Sequence, residues 1–308
     1  DSVGPGSFYF RSNATTSNTD PGKISANLSA LNVGGSFRVD AGTVDVAAGN
    51  YTIGRSLILG ANGNVNFTQA GGSLTVGAGI DDVFSLGDQL GNAIGGTSTM
   101  DLTALDSFTA NVNLVRIGRG NTTSPGSDGY GILKLAASND IWARTSFIIA
   151  DTTGVGQGAT ESRVEFGLNN VVTTPLFVVG NNKSVGKATI ANGGTLTLQG
   201  YGDYTNEVRI GYYTDTGTIG ALSHFDLTGG TLKGKWNSLV IGRITNNGSN
   251  AGGTTGMLTL DGSGNDVSVN SVTLGLISNS SSGAGAQGQG TINMGGGLFE
   301  VRGTVTMG

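Results

Sequence analysis

The sequence predicts an all-β fold, a parallel β-solenoid with three short strands in each coil of about 32 residues. Three observations carry that expectation. A pentapeptide of constant character returns every 30 to 33 residues, apolar and polar positions alternate inside each copy, and 56 of the 308 residues are glycine. Interior glycine costs a helix about 1 kcal/mol per site, so that frequency excludes an ordinary helical protein.

The pentapeptide reads VFSLG ending at Gly87, LVRIG at Gly118, SFIIA at Ala150, LFVVG at Gly180, EVRIG at Gly211, SLVIG at Gly242, SVTLG at Gly275 and TVTMG at Gly308. The residue before the last position is always apolar, from Leu86 through Ile117, Ile149, Val179, Ile210, Ile241 and Leu274 to Met307. Two residues earlier stand Phe84, Val115, Phe147, Phe177, Val208, Leu239, Val272 and Val305, and the position between them varies. A period of two with one apolar face is a strand, and its variable position points outward.

After a loop rich in Gly, Ser, Thr and Asn comes a second run: ILKLA from Ile132, RVEFG from Arg163, KATIA from Lys187, HFDLT from His224, MLTLD from Met257 and TINMG from Thr291. Its inward pairs are Leu133 and Leu135, Val164 and Phe166, Phe225 and Leu227, Leu258 and Leu260, and Ile292 and Met294. A third run follows a corner of Asn or Gly: Asn139, Asn169 and Asn170, Gly193 and Gly194, Gly229 and Gly230, Asn265, or 295–297. These residue types enter left-handed backbone conformations at low cost. Behind the corners come Ile141, Val171, Leu196 and Leu198, Leu232, Val267 and Val269, and Leu298. No such coil buries an apolar face alone, whereas stacked coils turn each inward position into a continuous column.

Composition narrows the function classes. With 37% apolar residues spread along the chain, disorder is excluded, and with 12% charged residues the surface is built from Gly, Ser, Thr and Asn. The net charge of -5 and the absence of any Lys/Arg cluster exclude a nucleic-acid footprint. No apolar run approaches the ~18 residues of a spanning helix, so no membrane insertion of this segment is expected. There is no cysteine, so disulfides are not the stabilising device.

An apolar strand ending in glycine, a polar loop, a G-x-L-x-L strand, an NN or GG corner and a third strand together resemble the right-handed parallel β-helix of large secreted bacterial surface proteins. Autotransporter passenger domains with their associated β-strand repeats, and filamentous-haemagglutinin-like adhesins, are the groups concerned. The resemblance covers residues 83–308. It implies an exported stalk, adhesin or fibre at the cell surface, and it brings no catalytic motif.

Candidate sites are few. Asp81 and Asp82 read as a solvated loop pair, and Glu165 points outward between Val164 and Phe166. His224 shares an outer face with Asp226, the start of a base and its orienter, but no nucleophile stands beside them in sequence. The stretch DGSGND, with Asp261, Ser263, Asn265 and Asp266, departs from calcium-loop spacing and reads as a corner. The glycine string at 154–159 lacks the strand-turn-helix setting of a phosphate loop. Thr195 with Thr197 and Thr304 with Thr306 do not recur in enough coils to make an ice-binding face. Carboxylates at equivalent repeat positions do not stack, and a cleaving site on this scaffold would need an outer groove with three or more of them. No enzyme activity, cofactor or metal is therefore expected. Exposed tyrosines stack on sugar rings or anchor partners, which makes Tyr130, Tyr201, Tyr204, Tyr212 and Tyr213 the candidate ligand contacts.

The chain divides into residues 1–80, irregular coils with a cap or docking segment, and 81–308, regular repeats that continue beyond or dock at Gly308. SFRVD, GTVDVAAG and SLILG in the first part read as degenerate coils. Phe8, Tyr9 and Phe10 are expected to cap the first coil or to add to a neighbour's open edge, and Val305 and Met307 mark the other end. The expected function is an extracellular fibre, filament subunit or adhesin stalk, self-associating head to tail or continuing into a larger chain. A glycan-binding module is the alternative, and a polysaccharide lyase or hydrolase a more distant one.

Overall fold

The computed structural model describes residues 6–10, 25–29, 31–88, 95–120, 129–152, 161–182, 184–214, 221–245, 253–277 and 287–308. Among them there is no helix. The strands join in one 24-stranded sheet wound into a β-solenoid. Among the described residues pairing between strands is parallel apart from one antiparallel bridge, Arg119 with Gly129. The predicted fold class is the observed one.

Three strand columns line the shaft. On the first, Phe8, Phe37, Leu57, Phe84, Val115, Phe147, Phe177, Val208, Leu239, Val272 and Val305 stand in register on successive coils. From Phe37 to Val272 each of these is at most 2% exposed. On the second, Val44, Val65, Met100, Leu133, Val164, Ala188, Phe225 and Leu258 are likewise aligned and fully buried. Rings couple the columns across the core: Phe147 lies 5.2 Å from Phe177, and Phe177 lies 5.3 Å from Phe225 on the second column. The packed interior is thus continuous from coil to coil.

Glycine closes seven of the eight pentapeptides, and for a backbone reason. Gly87, Gly118, Gly180, Gly211, Gly242 and Gly275 all have φ between 62° and 82° as the chain leaves the first column, and Ala150 holds φ 63° at the same place. A Cβ at Gly242 would also overlap the carbonyl of Gln289 in a neighbouring coil.

Several expectations need correction. The third and first runs are fused in Ser107–Arg119, Ser138–Thr152, Thr231–Ile244, Asp266–Leu274 and Leu298–Met307, because the corner between them needs only a register slip, seen between Val112 and Leu114 and between Val269 and Ser271. The glycine corners do use left-handed backbone, at Gly193, Gly229 and Gly297. The asparagine corners do not. Asn139, Asn170 and Asn265 turn their amides inward, and each Nδ2 donates to the carbonyl three residues earlier, at 2.8, 2.8 and 2.6 Å. With Asn170 inside, Val172 rather than Val171 is the buried apolar residue of that strand.

The described parts of the first 80 residues belong to the same ladder. Phe37–Val46 and Leu57–Phe67 run from the first column to the second without a loop, so the step from Phe37 to Leu57 is far shorter than the later repeat. Phe8–Phe10 pairs parallel with the strand at Phe37, and Phe8 stacks on Phe37 at 5.3 Å, so this segment adds a rung within its own chain. Tyr9 is exposed. At the other end Leu298, Val305 and Met307 are exposed on the last described coil. Val178 and Val240 face outward yet are buried, in register on either side of Arg209.

Candidate functional site

The outer side of the third column carries a groove. Alternation along the third strands puts Thr109, Asp140, Val171, Thr197, Lys233 and Asp266 in one outward row. Asn111, Trp142, Thr173 and Gln199 make the next. Lys235, Ser268 and Glu300 extend the groove over later coils. Two stretches, of about 320 and 480 Å³, meet at Thr197 and run along the axis.

One wall is the loop 200–206, which connects a third strand to the next first strand. Thr205 Oγ1 accepts from the Gly202 amide at 3.1 Å and donates to the Gly202 carbonyl at 2.8 Å. The Tyr204 amide donates to the Lys235 carbonyl at 3.0 Å, and Lys235 Nζ reaches Asp203 at 2.8 Å. Tyr204, in left-handed backbone with φ 59°, shares a hydrogen bond with Ser268 Oγ at 3.0 Å and lies under the Arg302 guanidinium at 4.7 Å. Ser268 Oγ in turn donates to Glu300 at 2.7 Å. The loop delivers Tyr201 onto Trp142, ring centroids 5.8 Å apart and planes 42° apart, with 54% and 42% of the two residues exposed.

The five candidate tyrosines do not form one patch. Tyr201 and Tyr204 share the loop. Tyr212 is on the first column beneath Arg209, whose guanidinium is 4.3 Å from its ring, and Tyr213 is buried at 4% exposure. Tyr130 is half-buried in Gly129–Lys134 on the second column. Trp142 was missing from that reading, although the signal was present: Ile141 faces inward, so its neighbour faces out.

Three carboxylates, Asp203, Asp266 and Glu300, line the same groove. They do not occupy equivalent repeat positions, so stacking by period did not reveal them: Glu300 pairs with Ser268, two residues beyond Asp266. Asp203 is held by Lys235 and Glu300 by Ser268.

The remaining candidates resolve individually. His224 Nε2 is 2.9 Å from Thr259 Oγ1, a hydroxyl that only coil stacking brings there. His224 Nδ1 lies 3.9 Å from Asp226, outside hydrogen-bond reach, while Asp226 accepts from the Thr228 amide and hydroxyl at 3.1 and 2.6 Å. Burial holds the His224 pKa below its ordinary value against the opposing charge of Asp226. The three side chains sit on the outer face of paired strands, whose amides are committed to the ladder. Asp82 is buried, not solvated: it accepts from the Ala78 amide at 3.1 Å and faces Arg55 at 3.7 Å. Glu165 points outward as expected and pairs with Arg163 at 3.0 Å. In DGSGND, Asp261 caps the Gly229 amide at 2.8 Å while Asn265 turns inside. No group of three His, Asp or Glu among the described residues is arranged to hold a metal, and no helix among them is long and apolar enough to cross a membrane. The glycine string at 154–159 lies outside the described residues.

The ladder and its outer groove define a parallel β-solenoid of three-strand coils. Comparison with protein-family models, curated proteins and solved structures gives no match. The resemblance carried by the repeat therefore extends to the fold alone.

Proposed function

We propose that this chain is an extracellular structural β-solenoid, serving as a fibre, a filament subunit or an adhesin stalk at the cell surface. The observation that carries the reading is the unbroken buried column from Phe37 to Val272. Backbone hydrogen bonds every ~4.8 Å along the axis, backed by that column, make a stiff rod. Exposed Val305 and Met307 give the last described coil an apolar edge, suited to a further coil of the same chain or to a second copy stacked head to tail. In this role the chain performs no reaction and needs no cofactor.

Electron microscopy at high protein concentration tests the reading. Rods of constant width that lengthen with concentration support the polymer. Discrete short particles at every concentration remove the polymer and leave a stalk segment, and globular particles without a long axis remove the shaft altogether. Detection on intact source cells by surface proteolysis tests the location.

The groove favours a second reading, a glycan-binding module, because Tyr201, which packs on exposed Trp142, lines it together with polar side chains of the sheet. Its three carboxylates are also what a lyase or hydrolase would require. Release of reducing ends or unsaturated products from a bound polysaccharide, lost in Asp266→Asn or Glu300→Gln, would replace binding by cleavage as the role of the groove.

A further inference from the structure

We propose that Trp142 and Tyr201 form a platform that takes the pyranose rings of a neutral polysaccharide laid along the shaft. The inference rests on the glycan-binding reading and assigns it a place.

Among the described residues, Tyr9, Trp142 and Tyr201 are the strongly exposed aromatic side chains, and two of these three touch each other. Each comes from a rigid support. Trp142 is in the sheet, in register with Asn111 and Thr173. Tyr201 lies two coils further on, following Gln199, which pairs with Thr173. Only the loop 200–206 brings it back. Closing a coil does not require that length: after Trp142 the chain reaches the first column through 143–145, and after Thr173 through Thr174 and Pro175. The longer loop is nevertheless fixed by the Thr205, Lys235 and Ser268 bonds, so the position of Tyr201 is preorganised. Trp and Tyr offer a large contact area with only two side-chain torsions to immobilise, which lowers the entropy cost of binding.

The chemistry around the rings selects the ligand. A pyranose ring has one face of C–H groups, which packs on an aromatic face, and a rim of hydroxyls that must be hydrogen-bonded as they leave water. Donors and acceptors for that rim lie along the groove: Gln199, whose Nε2 donates to Thr173 Oγ1 at 3.2 Å, then Thr197, Lys233 and Asp266. Both signs of charge are interspersed, and Lys235 is already paired with Asp203, so the groove offers no field of one sign to a polyanion. Its course over successive coils suits a linear polymer.

Affinity electrophoresis through gels containing mixed-linkage β-glucan, galactomannan or dextran provides the test, with tryptophan fluorescence as a second readout because Trp236 is fully buried and Trp142 is not. Wild-type protein is expected to be retarded by at least one of these polymers, with a blue shift of its emission. Trp142→Ala and Tyr201→Ala should each weaken retardation about tenfold, a loss of ~1.4 kcal/mol. Tyr9→Ala should leave it unchanged. Both target side chains are exposed, so unchanged melting of the variants checks that the shaft is intact. Retardation that both variants preserve overturns the platform and leaves the glycan-binding reading standing. Absence of retardation in all three polymers overturns both. Variants that alter particle length instead of retardation would assign the rings to contact between copies and also overturn the proposal.

Discussion

Asn139 donates from Nδ2 to Oδ1 of Asn170 at 2.8 Å, joining two neighbouring coils inside the shaft. Asn170 Nδ2 passes the contact on to the Thr195 carbonyl at 3.0 Å, and its Oδ1 also accepts from the Gly167 amide at 3.0 Å. Asn170 has every polar atom engaged, whereas Asn139 Oδ1 has no partner. Asn170→Ala should therefore destabilise by ~1–3 kcal/mol and by more than Asn139→Ala, with coupling between the two in a double-mutant cycle. Urea unfolding measures all three. Additive effects would show that the pair does not act as a unit.

The left-handed corner makes opposite predictions at two repeats. Ala150 holds φ 63°, where an L side chain is strained by ~1–2 kcal/mol, so Ala150→Gly should stabilise by up to ~1 kcal/mol after the entropy cost of glycine. Gly242→Ala should destabilise by more than that gain, because its Cβ meets the Gln289 carbonyl as well. Thermal melting of both variants decides. A destabilising Ala150→Gly would mean that the alanine methyl contributes packing worth more than the strain.

Core position outweighs residue type along the first column. Phe177→Ala removes a fully buried ring that touches Phe147 and Phe225, for an expected loss of ~3–5 kcal/mol. Val305 stands in the same column, half exposed on the last described coil, and Val305→Ala in this chain should change stability by less than ~0.5 kcal/mol. A large effect at Val305 in dilute solution would show that its edge is already covered by another coil.

Acid should weaken the shaft in two steps. Burial lowers the His224 pKa, so the unfolded chain binds the proton more readily and stability falls as pH drops below the ordinary value near 6.5. Burial pushes the Asp101 carboxyl up, but hydrogen bonds from Thr103 and Lys134 outweigh it and leave the pKa below its ordinary value. Asp226 behaves likewise, through Thr228 and the nearby His224 and Lys187 charges. Stability from these two carboxylates is present above pH ~4 and lost as pH falls through their lowered values. Melting temperature against pH should lose its upper step in His224→Gln and part of its lower step in Asp101→Asn. An upper step that persists in His224→Gln would exclude the histidine as its source.

Much of the fold was legible from periodicity. Leu86, Ile117, Ile149, Val179, Ile210 and Ile241 are identified by their place before the recurring glycine, or before Ala150 in one copy, and they share one fully buried column. The early coils were harder to read, because strands that run between columns without a loop shorten the repeat. The groove was only half visible. Tyr201 and Tyr204 stand among the candidates, Trp142 does not, and Asp266 and Glu300 fall on staggered positions that a search at one period does not bring together.

Sequence alone determined the alternation of inward and outward residues, the repeat length and the glycine that closes most of the pentapeptides, since these follow from strand geometry and from the φ that a sharp turn imposes. Tertiary structure decided which outward residues meet. Stacking places side chains about thirty residues apart within one coil spacing of each other, and an inserted loop shifts one of them across two coils. The register of stacking and the path of that loop are set by the whole ladder, so the contact of Tyr201 with Trp142 and the approach of Thr259 to His224 exist only once the coils are assembled.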